Sequence, residues 1–167
     1  MTRLSKQRIV ALLTLAGAIL LATPSGAADA RTVLTRTTLV QAKPGEVWAA
    51  IGPFCAIQDW HPAIGSCTLE GQTRTLVTRD GAAKFVELQV ARNEAKRSYS
   101  YSFTSSPVPV TGYFSTMSVA ASGKDASIVT WTGSYTPNQG QNEAAMAALT
   151  GIYESGLASI RDHFAHK

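Results

Sequence analysis

The chain has 167 residues, 45% apolar and 16% charged, with a formal net charge of +4. Positions 1–28 hold three of the fifteen Lys and Arg and none of the eleven acids, so the rest carries twelve cations against eleven acids, a net charge of +1. No Lys/Arg cluster survives there, which excludes a phosphate-tracking nucleic-acid surface, and no repeat or low-complexity tract marks a second module.

Arg3, Lys6 and Arg8 precede an apolar run from Ile9 to Ala22, broken by Pro24-Ser25-Gly26 and followed by Ala27, Ala28 and Ala30. This is the three-part pattern of a secretory signal peptide. The run of about 14 residues is short of the roughly 20 that span a bilayer. The pattern predicts a signal peptide over 1–28, an exported protein with no stable membrane insertion after cleavage, and one domain over 29–167. A domain of roughly that size buries about 68–70% of its unfolded surface and needs no metal to be stable.

Residues 31–40, rich in Thr, Val and Leu, read as a strand. Pro44-Gly45 turns the chain into a short helix over 46–51, with Glu46 in the first turn and Gly52-Pro53 as the stop. A second helical turn over 56–60 ends at His61-Pro62, because the residue before Pro avoids the α region. Short strands follow at 67–71 and 73–78, then a hairpin turn at Asp80-Gly81. In 83–92, Val86, Leu88 and Val90 share one face, and Glu87 and Gln89 the other. The run 98–106 has the clearest period of two, with Tyr99, Tyr101 and Phe103 opposite Ser98, Ser100, Ser102 and Thr104. Pro107 and Pro109 interrupt it. Residues 112–121 align Tyr113, Met117 and Val119, and 127–136 align Val129, Trp131, Gly133 and Tyr135.

From Asn142, a candidate N-cap, to Phe164, the apolar positions Leu149, Ile152, Tyr153, Gly156, Leu157, Ile160 and Phe164 form one helical stripe. Gly151 and Gly156 each cost about 1 kcal/mol in a helix interior, so the helix backbone is expected to approach something closely or leave space beside it. The fold class read from this order is α+β: two short helices after the first strand, and a curved antiparallel sheet of six to seven strands gripping one long C-terminal helix. One helix does not fill such a sheet, so a cavity between them is expected.

Pro44-Gly45, Val47-Trp48, Ile51-Gly52, Phe54, Ile57 and Trp60-His61-Pro62 resemble a segment of the START-like, helix-grip superfamily, which includes the Bet v 1 type and the polyketide cyclase/dehydrase and lipid-transport type. The resemblance covers 31–165. It implies a hydrophobic-ligand cavity entered near the short helices and roofed by the long helix, with no single chemistry attached. The ligand-binding set expected on this frame is Trp60, His61, Tyr99, Tyr101, Phe103, Tyr113, Met117, Trp131, Tyr135 and Tyr153. No cofactor is expected.

In an exported chain Cys55 and Cys67 are expected to form a disulfide. The competing readings are two buried thiols and a metal site with His61, which has odd spacing and no fourth ligand. His163 and His166, one turn apart, fit a frayed helix end better than a metal pair. His61 beside Asp59 is the candidate catalytic base, although residues two apart point apart on a helix. Glu87 and Arg74 are candidate polar contacts whose strand face is open. Three functions follow: a binder of a small apolar or amphipathic molecule; a cyclase, dehydratase or hydrolase using the same cavity; and an accessory protein of a periplasmic redox system, contacting a protein partner through residues 54–67.

Overall fold

The computed structural model describes residues 31–165. The signal peptide expected over 1–28, and His166, lie outside the described residues. The elements are β1 (Thr32–Val40), α1 (Pro44–Ile51), α2 (Ile57–Trp60), β2 (Ile64–Glu70), β3 (Thr73–Thr78), β4 (Lys84–Asn93), β5 (Ser98–Ser105), β6 (Val110–Ala121), β7 (Ser127–Pro137) and α3 (Asn142–Ala165). The strands form one seven-stranded sheet in the order β1-β7-β6-β5-β4-β3-β2, antiparallel throughout. The expected α+β helix-grip architecture is therefore present. No helix among the described residues is long and apolar enough to cross a membrane.

The alternation on β5, β6 and β7 sorts as expected. Tyr99, Tyr101, Tyr113, Met117, Val119, Val129, Trp131 and Tyr135 are buried on the concave face. Three details differ. β2 starts at Ile64 rather than Cys67, with a register shift before Ser66. α3 includes Asn142 in its first turn, and the Gln141 carbonyl takes the Ala145 N–H. On β4 the polar face is the inner one: Glu87 is 4% exposed, whereas Leu88 is 39% and Val90 52% exposed. The cause is the β3–β4 register, which sets Glu87 directly opposite Arg74. A slip of one residue would turn the β4 valine and leucine inward but leave Arg74 buried without its carboxylate.

α3 lays Ala145, Leu149, Tyr153, Gly156, Leu157, Ile160 and Phe164 on the concave face. Gly156 is where the helix comes closest. A Cβ there would lie 2.8 Å from His61 Cδ2, 3.0 Å from Trp131 Cζ3 and 3.1 Å from Trp60 Cζ3. Gly133 on β7 does the same for the opposing ring, since a Cβ there would overlap the Tyr153 hydroxyl. Gly151 has nothing within 4 Å of its would-be Cβ, so it leaves open space beside the helix.

Cys55 and Cys67 form a disulfide, with Cα atoms 5.6 Å apart. It ties the segment before α2 to β2. Gln58 Oε1 accepts the Cys67 N–H at 2.8 Å beside it. A four-residue helix has no stability of its own, so these links fix α2.

The two helix glycines separate steric from conformational effects. Gly156→Ala is expected to destabilise by about 1–3 kcal/mol through overpacking despite the better helix propensity. Gly151→Ala is expected to stabilise by about 0.4–1 kcal/mol. Urea denaturation of both variants measures the contrast. In the same assay, replacing both cysteines by serine is expected to cost about 2–4 kcal/mol.

Candidate functional site

Between α3, α2 and the concave sheet lies a cavity of about 80 Å³, lined mainly by apolar and aromatic side chains. Its walls are Ile57 and His61 of the α2 region, Ala63, Ile64, Leu76, Thr78, Phe85, Glu87, Tyr101, Phe103, Tyr113 and Trp131 of the sheet side, and Leu149 and Ile152 of α3. His61, Ala63, Phe85 and Ile152 also border an open groove between α3 (Ala147, Ala148, Gly151, Ser155) and the Pro107-Val108-Pro109 turn. These four residues form the neck between the closed space and the surface. The bare backbone of Gly151 widens the groove at this point.

The cavity is small because aromatic rings fill most of the grip. Trp131 stacks on Tyr153 at 4.4 Å with planes 8° apart, and Phe103 stacks on Tyr113 at 3.8 Å. Their polar atoms are satisfied internally. Tyr113 and Tyr153 hydroxyls are 2.6 Å apart, Tyr153 and Ser115 3.1 Å, and Tyr101 and Tyr113 3.4 Å. Ser115 donates to the Thr132 carbonyl at 2.9 Å. Trp131 Nε1 is shared between the Tyr101 and Ser115 oxygens, each at 3.0 Å. One orientation of the protons uses every contact: Tyr101 donates to Tyr113, Tyr113 to Tyr153, Tyr153 to Ser115, and Ser115 to the carbonyl. Burial holds the Tyr101 and Tyr113 hydroxyls well above the ordinary tyrosine value and pushes Tyr153 up to about 12. All three are neutral donors at physiological pH.

Arg74 and Glu87 form a buried ion pair, Nε to Oε2 at 2.5 Å, with side chains 1% and 5% exposed. Arg74 Nη1 donates to the Phe54 carbonyl, and the guanidinium lies over the Phe54 ring at 3.9 Å and the Tyr101 ring at 5.0 Å. Among the described residues Arg74 Nη2 makes no hydrogen bond of good geometry, although the Arg74 side chain also interacts with the Tyr99 hydroxyl. Burial pushes the Glu87 carboxyl up, against the pull of Arg74. Burial opposes the charge on Arg74 too, but Glu87 more than offsets it and keeps the guanidinium protonated. Of the pair, Glu87 reaches the cavity wall.

His61 is 2% exposed and faces inward. Its Nδ1 accepts the Ala63 N–H at 3.2 Å, so the proton sits on Nε2, which donates to the Ile152 carbonyl of α3 at 3.0 Å. Desolvation lowers its pKa, the Ile152 bond partly restores it, and Arg74 lowers it further. The ring is thus a neutral clamp between the α2 turn and α3. Both nitrogens are engaged by backbone, and no acid or tyrosine orients it. Asp59 is not among its partners, in keeping with the divergence of residues two apart on a helix.

Of the ten expected ligand-binding residues, His61, Tyr101, Phe103, Tyr113 and Trp131 line the cavity. Trp60, Tyr99, Met117, Tyr135 and Tyr153 sit behind it in the core. Tyr99 packs against Trp48 and Phe54 under α1, and Trp60 lies edge-on to Trp131. Ile57, Ala63, Ile64, Leu76, Thr78, Phe85, Leu149 and Ile152 also line it and were not assigned to the site from sequence, since apolar side chains carry no signal that separates wall from core. Glu87 could have been found by treating Arg74 and Glu87 as a cross-strand pair. No group of three or more His, Cys, Asp or Glu fit to hold a metal occurs among the described residues.

The family model described as polyketide cyclase / dehydrase and lipid transport matches residues 31–165. No curated protein matches the chain. Among solved structures, the protein XoxI from Bacillus cereus is 34% identical, with a TM-score of 0.76 over 80% of this chain and 95% of that one. An uncharacterised protein from Bacillus thuringiensis is 33% identical, with a TM-score of 0.77 over 80% of this chain and 99% of that one. Norcoclaurine synthase from Thalictrum flavum, at 15% identity and a TM-score of 0.65 over 79% of this chain and 92% of that one, shares the fold.

The His61 clamp predicts a pH effect. The folded chain releases the His61 proton more readily than the unfolded chain. The imidazole therefore contributes stability in full above about pH 6.5, and the contribution is lost as pH falls through the lowered native value. Glu87, raised by burial, acts with the opposite sign and is common to wild type and variant. Urea denaturation at pH 7.5 and 5.5 is expected to show a larger acid loss for wild type than for His61→Gln; equal losses would refute the clamp.

Proposed function

The chain belongs to the polyketide cyclase/dehydrase and lipid transport family, and from that premise we propose that it is an exported binding protein for a small apolar or amphipathic molecule held between the sheet and α3. The observation that carries the reading is the apolar cavity whose neck, at His61, Ala63, Phe85 and Ile152, borders the groove beside Gly151. Its size limits the ligand. Pockets for drug-sized molecules hold about 300–1,000 Å³, and the cavity here is about 80 Å³. The ligand is therefore small or slim, with one end in the cavity and the rest leaving through the neck. The mouth lies at the β5–β6 turn beside the end of α2, rather than at the two short helices as a whole.

Export rests on the pattern over 1–28, with cleavage after Ala28, and is supported by the Cys55–Cys67 disulfide, which suits an oxidising compartment. An enzymatic reading would rest on Glu87 and Tyr101, which share the cavity wall, and not on His61, whose nitrogens are both occupied.

Native mass spectrometry of the protein purified from its own host is expected to show a small adduct that is lost on denaturation. Leu149→Phe, which fills the cavity at about 1–3 kcal/mol of overpacking, is expected to reduce that adduct at least severalfold. A mature chain beginning at Asp29 is expected in the same spectrum. A bare mass in repeated preparations would overturn the binding reading, and an intact residue 1–28 segment would overturn export.

A further inference from the structure

The sheet ends in β1 on one side and β2 on the other, and the two edges are treated differently. The β2 edge is covered. A register shift breaks it before Ser66, the disulfide ties the α2 segment to it, and Gln58 Oε1 takes the Cys67 N–H. Among the described residues the β1 edge has no such cover. It runs for nine residues, Thr32–Val40, without a proline, a lysine or a register shift. Val33 is 66% and Leu39 48% exposed, with Thr35 and Thr37 exposed between them. The one charge on the strand, Arg36, pairs with Glu154 of α3 at 2.8 Å.

The side chains show which way the backbone of β1 points. The Thr35 and Thr132 hydroxyls meet at 3.1 Å across the β1–β7 ladder, the close approach of a pair that exchanges no backbone hydrogen bonds. The Thr35 carbonyl instead takes Arg36 Nη1 at 3.0 Å. Thr35 therefore turns its N–H and C=O away from β7, and by alternation so do Val33, Thr37 and Leu39. Among the described residues no loop and no side chain other than Arg36 caps these groups. An open row of this length is a template for another strand.

We propose that β1 is the interface of a homodimer, in which two copies of this chain pair β1 with β1, antiparallel about a two-fold axis at Arg36, and join their sheets. The strand is self-complementary in that register. Val33 lies opposite the partner's Leu39 and Thr35 opposite the partner's Thr37, so every edge-facing N–H and C=O of both strands finds a mate. On the outer face the two exposed apolar side chains cover each other and threonine meets threonine, both favourable cross-strand pairs. On the inner face Arg36 meets the partner's Arg36, each arriving with its own Glu154 carboxylate. The Thr35 carbonyl has two lone pairs, so it can keep Arg36 and still accept the new bond. An extended segment of an unrelated protein would use the same backbone groups, but the match of Val33 to Leu39 and Thr35 to Thr37 is one that β1 makes with itself. A contact one strand wide and about 30 Å long is smaller than the roughly 1,200–2,000 Å² of a standard interface, so the dimer is weak. β7 and β6 separate β1 from the β5–β6 turn, so the pairing uses no residue of the cavity neck and is independent of the binding reading.

Sedimentation equilibrium of the protein purified from its own host is expected to show a monomer–dimer equilibrium with a Kd between about 10 μM and 1 mM. Two double variants at exposed outer positions test the register without touching the core. Val33→Lys with Leu39→Lys sets like charges directly opposite and is expected to raise the Kd about tenfold. Val33→Lys with Leu39→Glu sets each new cation opposite a new anion in this register, and is expected to return the Kd to within about threefold of wild type. Glu154→Gln leaves two uncompensated arginines at the axis, and is expected to weaken association more at low salt than at high salt. A protein that stays monomeric up to about 1 mM overturns the proposal. So does a dimer that the lysine pair leaves intact, and so does a lysine–glutamate variant as weak as the lysine pair.

Discussion

The close approach of α3 to the sheet at Gly156 governs the interior. Because no Cβ stands between them, the helix settles onto Trp60, His61 and Trp131. That height lets His61 Nε2 reach the Ile152 carbonyl and brings Tyr153 flat against Trp131. Gly133 answers from the opposite side, giving the Tyr153 hydroxyl room to enter the relay. A helix-interior glycine costs about 1 kcal/mol. Burying a tyrosine or tryptophan removes about 150–250 Å² from water, worth up to about 4–6 kcal/mol each. The balance favours the glycine wherever it admits a large ring. The same packing consumes most of the space a wide grip would leave, so what remains is a small, sharply defined cavity.

The buried ion pair cannot be explained by stability alone. Desolvating a guanidinium and a carboxylate costs several kcal/mol per ion, and well-packed apolar substitutes are often at least as stable. Arg74 and Glu87 do other things. Arg74 holds the Phe54 carbonyl beyond the end of α1 and stacks on two rings, while Glu87 presents a carboxylate to an otherwise apolar wall. Farther along, Arg92 holds the Gly52 carbonyl, and Trp48 Nε1 reaches Glu94 at 2.7 Å. Two arginines from the sheet thus catch two successive stretches of the loop after α1, where helix-terminal carbonyls need donors.

The architecture was legible in the sequence because its signals are periodic. Ser98 to Thr104 alternates strictly, the stripe from Leu149 to Phe164 repeats at helical spacing, and the Gly52-Pro53 break separates the short helices. The resemblance at Trp48, Phe54 and Trp60-His61-Pro62 pointed to the same family that the 31–165 match identifies. The site was only half legible. Alternation says which residues face inward, but not which of them touch a void. Tyr99 and Met117 share a face with Tyr101 and Tyr113, yet α1 and the core cover them. β4 was misleading for a different reason. Val86, Leu88 and Val90 are on the outer side, with Phe85 and Glu87 turned inward, because Arg74 across the ladder decides where Glu87 must go.

The distribution of pins around the cavity locates the part that can open. The α2 segment is held by the disulfide, by Gln58 to Cys67, by Arg79 Nε to the Pro62 carbonyl at 2.8 Å and by His61 to Ile152. It is a fixed cover. The Pro107-Val108-Pro109 turn is tied back to Ser106 and to Asn138, and no hydrogen bond joins it to α3 among the described residues. Two prolines limit its own backbone freedom, and it faces Ala147, Ala148, Gly151, Ile152 and Ser155 of α3 across the groove. The α2 segment also carries the Trp60 ring edge-on to Trp131, whereas the turn contributes Val108 alone to the core. The neck shared by the cavity and the groove accordingly lies past Ile152, beside the less heavily pinned of the two segments.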